Sequence, residues 1–243
     1  MPEIPDKQDR QTAAVEGEVN LAIRRETLPN SIVNHLRDLI IHGDLAAGEK
    51  LPLLTLAKSL GVSMTPLREA LKILAEEQLI ALLPNRGARV LNFTVDEAAQ
   101  LFEVIACLEG LAAELAATRI SAVALTSLEE LHEQMRAHFV AREKEPYFSL
   151  NSRIHDGVLA ASANTVLISA HTKLYVRAAR GRYMAIIDQA RWREAMSEHE
   201  DLMAALRDRD AARAGQVWRR HLLHTGAAVQ RAQAASPSVA DDL

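Results

Sequence analysis

Residues 51–90, LPLLTLAKSLGVSMTPLREALKILAEEQLIALLPNRGARV, decide the fold of this chain. The spacing predicts a short apolar helix over Thr55 to Leu60, a Gly61-Val62-Ser63 turn, and a longer helix from about Thr65 to Glu77. Gly61 is suited to the left-handed conformation that ends the first helix. Ser63 is placed to accept a backbone N–H at the start of the second. Pro66 falls in the first turn, where its missing donor costs nothing. Leu67, Leu71 and Leu74 recur at helical spacing and face a core. Two short β-like runs, Ala81 to Leu83 and Ala88 to Leu91, then flank Pro84-Asn85-Arg86-Gly87. A hairpin appended to a helix-turn-helix is a winged helix.

Such a motif sets its second helix in the DNA major groove, with N-terminal residues at the base edges. The candidate contacts are Ser63, Met64, Thr65 and Arg68. Arg86 and the backbone of Gly87 at the wing tip suit a phosphate or the minor groove. The plainer alternative is a helix pair inside an all-α core that touches no DNA.

The rest of the chain is helical in character. Of 243 residues, 49% are apolar and only 4% aromatic, with Ala and Leu dominant and Gly sparse. That supports a mainly α fold, a winged helix-turn-helix followed by an all-α six-helix bundle. A net charge of −4 argues against non-specific coating of nucleic acid and leaves room for a local basic surface. The single Cys107 excludes an intrachain disulfide and sits in an apolar helical pattern, so it is expected to be an inert core residue. No signal peptide and no apolar run of about 18 residues is seen, so a cytoplasmic protein with no membrane contact is expected.

In chain order, residues 1–25 read as a disordered tail and 26–92 as the winged helix-turn-helix domain. Its first helix carries Ile32, Leu36, Leu39 and Ile40 and ends at Gly43. Asn92-Phe93-Thr94 is the junction, and Thr94 with Glu97 makes a capping box that opens the second domain, 94–232. Six helices are expected there, over about 95–119, 127–142, 147–162, 165–183, 190–208 and 210–232. Thr126 with Glu129 offers another capping box. Leu101, Val104, Ile105, Leu108, Leu111, Ala112 and Leu115 cover much of the first helix, which places it centrally. Residues 233–243 read as a second disordered tail.

Four polar residues of this second domain stand out. Asn151 and His155 are four apart, on one face of one helix. His199 and His221 fall on the last two helices, which pair antiparallel through a short Arg209-Asp210 turn and bring the two imidazoles to similar height. Three imidazoles with an amide oxygen suit a divalent Zn, Ni or Mn ion with open positions for a ligand. The competing reading is that each histidine only hydrogen-bonds to nearby backbone. His132, His138, His171 and His224 are of that kind, although His224 could substitute for His221.

The motif order adds a resemblance. Gly43-Asp44-Leu45, Gly48-Glu49-Lys50-Leu51, Leu56-Ala57, Gly61-Val62-Ser63, Thr65 to Leu71 and Arg86-Gly87 resemble the N-terminal domain of GntR-family transcription regulators. Met64 and Leu54 depart from it: the family usually has an arginine at the first and often a basic or polar residue at the second. Residues 96–230 resemble the FCD ligand-binding domain of one GntR subfamily, through Leu101-Phe102-Glu103, Leu108-Glu109, Leu115-Ala116-Ala117, His155, Ala161 to Asn164, Glu198-His199-Glu200, Ala204 to Leu206, Asp210 and His221-Leu222. The resemblance implies operator DNA, a homodimer, and metal ligands at Asn151, His155, His199 and His221. It also implies a small carboxylate effector. Ile105 stands where many members carry an effector-binding arginine. Arg153, Arg177, Arg180 and Arg182 are the alternatives, with Arg153 and Arg177 carried forward as effector contacts.

The reading that results is a metabolite-responsive transcription regulator, repressor-like and not an enzyme. Two others stand beside it. One is a metal-dependent hydrolase or isomerase using the histidine cluster, for which no general base is evident. The other is a metal-free regulator with a different effector.

Overall fold

The computed structural model describes residues 28–84, 87–92 and 94–235. Its first unit comprises α1 (Leu28–His42), β1 (Lys50–Leu51), α2 (Leu53–Leu60), α3 (Met64–Glu76), β2 (Ile80–Leu83) and β3 (Gly87–Val90). The strands form one antiparallel sheet in the order β1-β3-β2. Leu36 and Ile40 of α1, Leu67, Leu71 and Leu74 of α3, and Ile80, Ala88 and Val90 of the sheet make a closed apolar core. Gly61 ends α2 in the left-handed region, with φ 65°. An ion pair from Arg37 to Glu77, at 2.6 Å, ties α1 to the end of α3. This is the winged helix expected from residues 51–90.

Among the described residues the second unit is six helices: α4 (Val95–Arg119), α5 (Ala122–Ala141), α6 (Lys144–Ala161), α7 (Thr165–Ala185), α8 (Gln189–Arg207) and α9 (Ala211–Ala235). The Thr94–Glu97 capping box opens α4 in both directions: the Glu97 N–H donates to Thr94 Oγ1 at 3.1 Å and the Thr94 N–H to Glu97 Oε2 at 2.9 Å. Helix α4 is central and lies along α9. The two approach closely because Gly110 and Gly215 face each other, where a Cβ on either would stand 3.2 Å from the other's carbonyl oxygen. Alanines 112, 113, 116 and 117 of α4 are likewise buried.

Several expectations are corrected. The Ser63 side chain makes no cap hydrogen bond, although Ser63 is the N-cap residue of α3. Helix α5 starts at Ala122, because Ser121 caps it by accepting the Ala124 N–H at 3.2 Å; the Thr126–Glu129 pair falls inside the helix. Helix α6 starts at Lys144, since Pro146 fits its first turn, where no backbone donor is needed. Helix α9 continues through Ala235, so residues 233–235 are helical rather than tail. Strand β1 was not expected. Cys107 is exposed, not a core residue, and Val104 and Leu111 are 50% and 40% exposed. The two tails otherwise lie outside the described residues.

The units meet through α7. Val176 packs against the winged-helix core, Arg177 Nη1 donates to Gln78 Oε1 at 2.5 Å, and Arg180 Nη1 donates to the Leu91 carbonyl at 2.7 Å. From α1, Ile41 joins the bundle core and the His42 ring meets Tyr183 edge-on at 4.9 Å. Among the described residues no helix is long and apolar enough to cross a membrane.

Candidate functional site

Two regions carry chemistry, the face of α3 and the centre of the bundle. On α3, Ser63, Thr65 and Arg68 are exposed at the N-terminal end. Met64 is half-buried and packs against the winged-helix core, so its thioether is partly a structural group. Gly87 is not free tip backbone. It opens β3 opposite Leu83 with φ 95°, and a Cβ there would stand 2.5 Å from the Leu51 carbonyl oxygen of β1. Glycine is therefore demanded by the closure of the sheet. Arg86 lies outside the described residues.

In the bundle, α6 supplies Asn151 and His155, α8 supplies His199 and α9 supplies His221, all buried. One candidate ligand nitrogen from each histidine lies within 4.8 Å of the others. Trp218 of α9 floors the cluster, with its ring centroid 4.4, 4.8 and 4.6 Å from those of His155, His199 and His221. The His155 Nε2 and both nitrogens of His199 are buried with no hydrogen-bond partner. Buried polar atoms in native proteins are nearly always satisfied, so these three call for a partner.

Two buried carboxylates orient the rings. Glu109 on α4 accepts from His155 Nδ1, from His171 Nε2 at 3.0 Å and from Arg182 Nη1 at 3.2 Å. Glu198 on α8 accepts from His221 Nδ1 and from His224 Nδ1, both at 2.8 Å, and pairs with Arg191 Nη2 at 2.8 Å. With Nδ1 of His155 and His221 committed to carboxylates, their Nε2 atoms are the ones left to ligate.

Burial and charge agree with that assignment. Burial drives the His155 pKa down to about 3 despite the opposing pull of Glu109, and it depresses His199 and His221 as well. Burial opposes the charge of Glu109, but His155, His171 and Arg182 hold it well below 4.5. Glu198 is likewise held down, to about 2, by His221 and Arg191 against burial. The centre is thus neutral imidazoles beside ionised carboxylates, the protonation state that metal ligation needs.

A small cavity of about 10 Å³ adjoins the histidines, lined by Asn151, Arg182, Arg191, His221 and Thr225 among others. That is the room of about one water molecule. Arg182 and Arg191 are each 2% exposed, and Arg182 Nε and Nη2 and Arg191 Nε have no hydrogen-bond partner. The arginines expected as effector contacts are elsewhere. Arg153 is exposed on α6, and Arg177 faces Gln78 at the domain junction. A residue two positions along a helix points about 200° away, so Arg153 cannot share the face of Asn151.

Sequence reading also missed Glu109, Arg191 and the part played by His171. Glu109 left one signal: it occupies a core position of α4, between buried Ile105 and Ala112, where an acid needs partners.

Comparison with known proteins places these regions. Residues 28–90 match the family described as bacterial regulatory proteins, gntR family, and residues 100–224 match the FCD domain. The chain is 26% identical over 207 residues to the HTH-type transcriptional repressor GlaR of Escherichia coli, covering 82% of this chain and 94% of that protein. It is similar in fold to the structure of E. coli McbR/YncC, with TM-score 0.75 and 23% identity over 86% of this chain and all of that one. A GntR regulator structure from Rhodococcus sp. RHA1 aligns with TM-score 0.69 and 21% identity over 84% of this chain and 98% of that one. The relatives are named as transcription regulators and not as enzymes.

Proposed function

This chain is a DNA-binding transcription regulator of the GntR family with a C-terminal FCD domain, and on that premise we propose that a divalent metal and a small organic acid in the bundle control its grip on an operator. The observation that carries the reading is the set of buried, unpartnered imidazole nitrogens of His155 and His199 beside His221. They fit a Zn, Ni or Mn ion held by the three histidines, with Asn151 supplying an oxygen. When bound, such an ion supplies open positions that attract carboxylate and hydroxyl oxygens. Glu109 and Glu198 fix the rings for it, and the unpartnered Nε and Nη2 of Arg182 and Nε of Arg191 suit an acid's carboxylate.

The cavity is too small for a metabolite as it stands, so an acid enters only if α7 or α8 shifts. Helix α7 bears Arg182 on the cavity side and Arg177 and Arg180 on the winged helix. An acid that prefers the shifted α7 therefore biases α3 against its partner DNA. The protein acts as a repressor, as GlaR is named, and as a homodimer. The exposed stripe Val104, Cys107 and Leu111 on α4 supports pairing with a second copy. Ser63, Met64, Thr65 and Arg68 at the start of α3 form the DNA face, Arg86 and Gly87 of the wing stay candidates for a further contact, and an operator-binding protein works in the cytoplasm.

The test selects binding sites from a random duplex library, then titrates the complex with a panel of hydroxy and dicarboxylic acids, with added metal and with chelator. Release by one acid that chelator abolishes is the expected result. Release that ignores chelator, or no release by any acid, contradicts it.

A further inference from the structure

A second cavity lies at the domain junction, between the end of the recognition unit and α7. Its volume is about 270 Å³, and Gln78, Leu91, Glu97, Arg177 and Arg180 are among its lining residues. Arg180 is only 6% exposed. Among the described residues its hydrogen-bond partner is a neutral carbonyl, that of Leu91, and it forms no ion pair. Burial alone lowers its pKa, with no acid opposing the shift. A buried cation without a counter-ion is costly, and native proteins rarely keep one. Arg177, one turn earlier on the same helix, adds a second guanidinium to the cavity wall, and it reaches Gln78. Glu97 balances one of these charges, but its carboxylate is engaged by the Thr94 backbone and hydroxyl.

We infer that this junction cavity is a binding site for a small oxyanion, a phosphate or a short carboxylate, held by Arg180 and Arg177. The charge left to be met is that of the buried Arg180, which has only the Leu91 carbonyl against it. The volume lies below the roughly 300–1,000 Å³ of pockets for larger ligands, which limits the occupant to a few heavy atoms. A DNA phosphate is not the occupant. The 13-residue α3 spans about 20 Å, and the cavity is at its C-terminal end, away from the base-facing Ser63. The site is separate from the histidine cluster. Its consequence is mechanical: Gln78 follows α3 and Leu91 follows β3, so an anion there fixes both recognition helix and wing against α7.

The experiment measures thermal melting of the full chain in inorganic phosphate, in succinate and in chloride of matched ionic strength. Wild type is compared with Arg180→Met and Arg182→Gln. Phosphate or succinate should raise the wild-type midpoint by roughly 2 °C or more beyond the rise in Arg180→Met, which also absorbs the general salting effect. Whichever anion gives the larger difference identifies the class. In chloride Arg180→Met should melt no lower than wild type, and Arg182→Gln should keep the phosphate response. Equal shifts in wild type and Arg180→Met overturn the site. So does a response that disappears only in Arg182→Gln, since the anion would then sit in the histidine cavity. If Arg180→Met fails to fold, Arg177→Gln at the half-buried neighbour gives the same reading: loss of the anion shift supports the site, and a full shift overturns it.

Discussion

The two halves of this chain bury different things. Among the described residues of the winged helix, every buried side chain is apolar. The bundle buries Glu109, Asn151, His155, His171, Arg182, Arg191, Glu198, His199 and His221 together. The first core is built for stability, and its chemistry is on its surface, at the exposed start of α3. The second sacrifices apolar packing at its centre, which a fold alone does not require. The difference teaches where to look for the proposed control: a domain that only had to dimerise or hold a wing in place would not need buried ionised carboxylates tied to neutral imidazoles.

The comparison can be broken or sharpened by substitution. Glu109→Ala should cost the most, about 3–5 kcal/mol, because it strands His155, His171 and Arg182 around a buried gap. Chemical denaturation reads the loss, and metal affinity should fall roughly 10–100-fold in the same variant. Leu71→Ala in the winged helix should cost a comparable ~2–5 kcal/mol by leaving a cavity, yet leave metal binding unchanged. Similar metal loss in both variants would erase the contrast between the two cores.

Acid should separate the halves as well. His155, His199 and His221 have depressed pKa values in the folded chain, so the unfolded chain binds more protons below its ordinary histidine value of 6.5. Their contribution is complete above that value and declines as pH falls toward about 3, the folded value of His155. Metal-stripped protein should therefore lose bundle stability from pH 6.5 downward, followed by differential scanning calorimetry. A midpoint unchanged between pH 7 and pH 5 would contradict neutral buried imidazoles.

The smaller effects concern the DNA face. Arg68→Ala should weaken specific binding by about 1–3 kcal/mol if its guanidinium meets a guanine edge, measured by fluorescence anisotropy on a selected site. Ser63→Ala should change folding stability by no more than about 0.5 kcal/mol, since its side chain caps nothing.

Much of this was legible because it is local. Gly61, Pro66 and the Leu67-Leu71-Leu74 stripe specify their own turn and helix within a few residues. Asn151 and His155 declare their shared face by spacing, and the short turn between α8 and α9 aligns His199 with His221. Strand β1 was illegible because two residues have no periodicity and their partner, β3, is far along the chain. Which arginines line the cavity was illegible for a related reason. The cavity forms where α6, α7, α8 and α9 meet, so helical phase decides which arginine enters it. Arg182 is five positions beyond Arg177, and about 500° of rotation carries the two onto different faces of α7. Only the packed structure sets that phase.

The central claim is that the unpartnered imidazoles exist to hold a metal. Calorimetric titration of chelator-treated full-length chain with Zn²⁺, Ni²⁺ and Mn²⁺, beside His155→Ala and His199→Ala, tests it most directly. The account predicts saturation at one ion per chain for at least one metal, and no binding at that stoichiometry in either variant. Wild type that binds none of the three, or variants that bind like wild type, would contradict it.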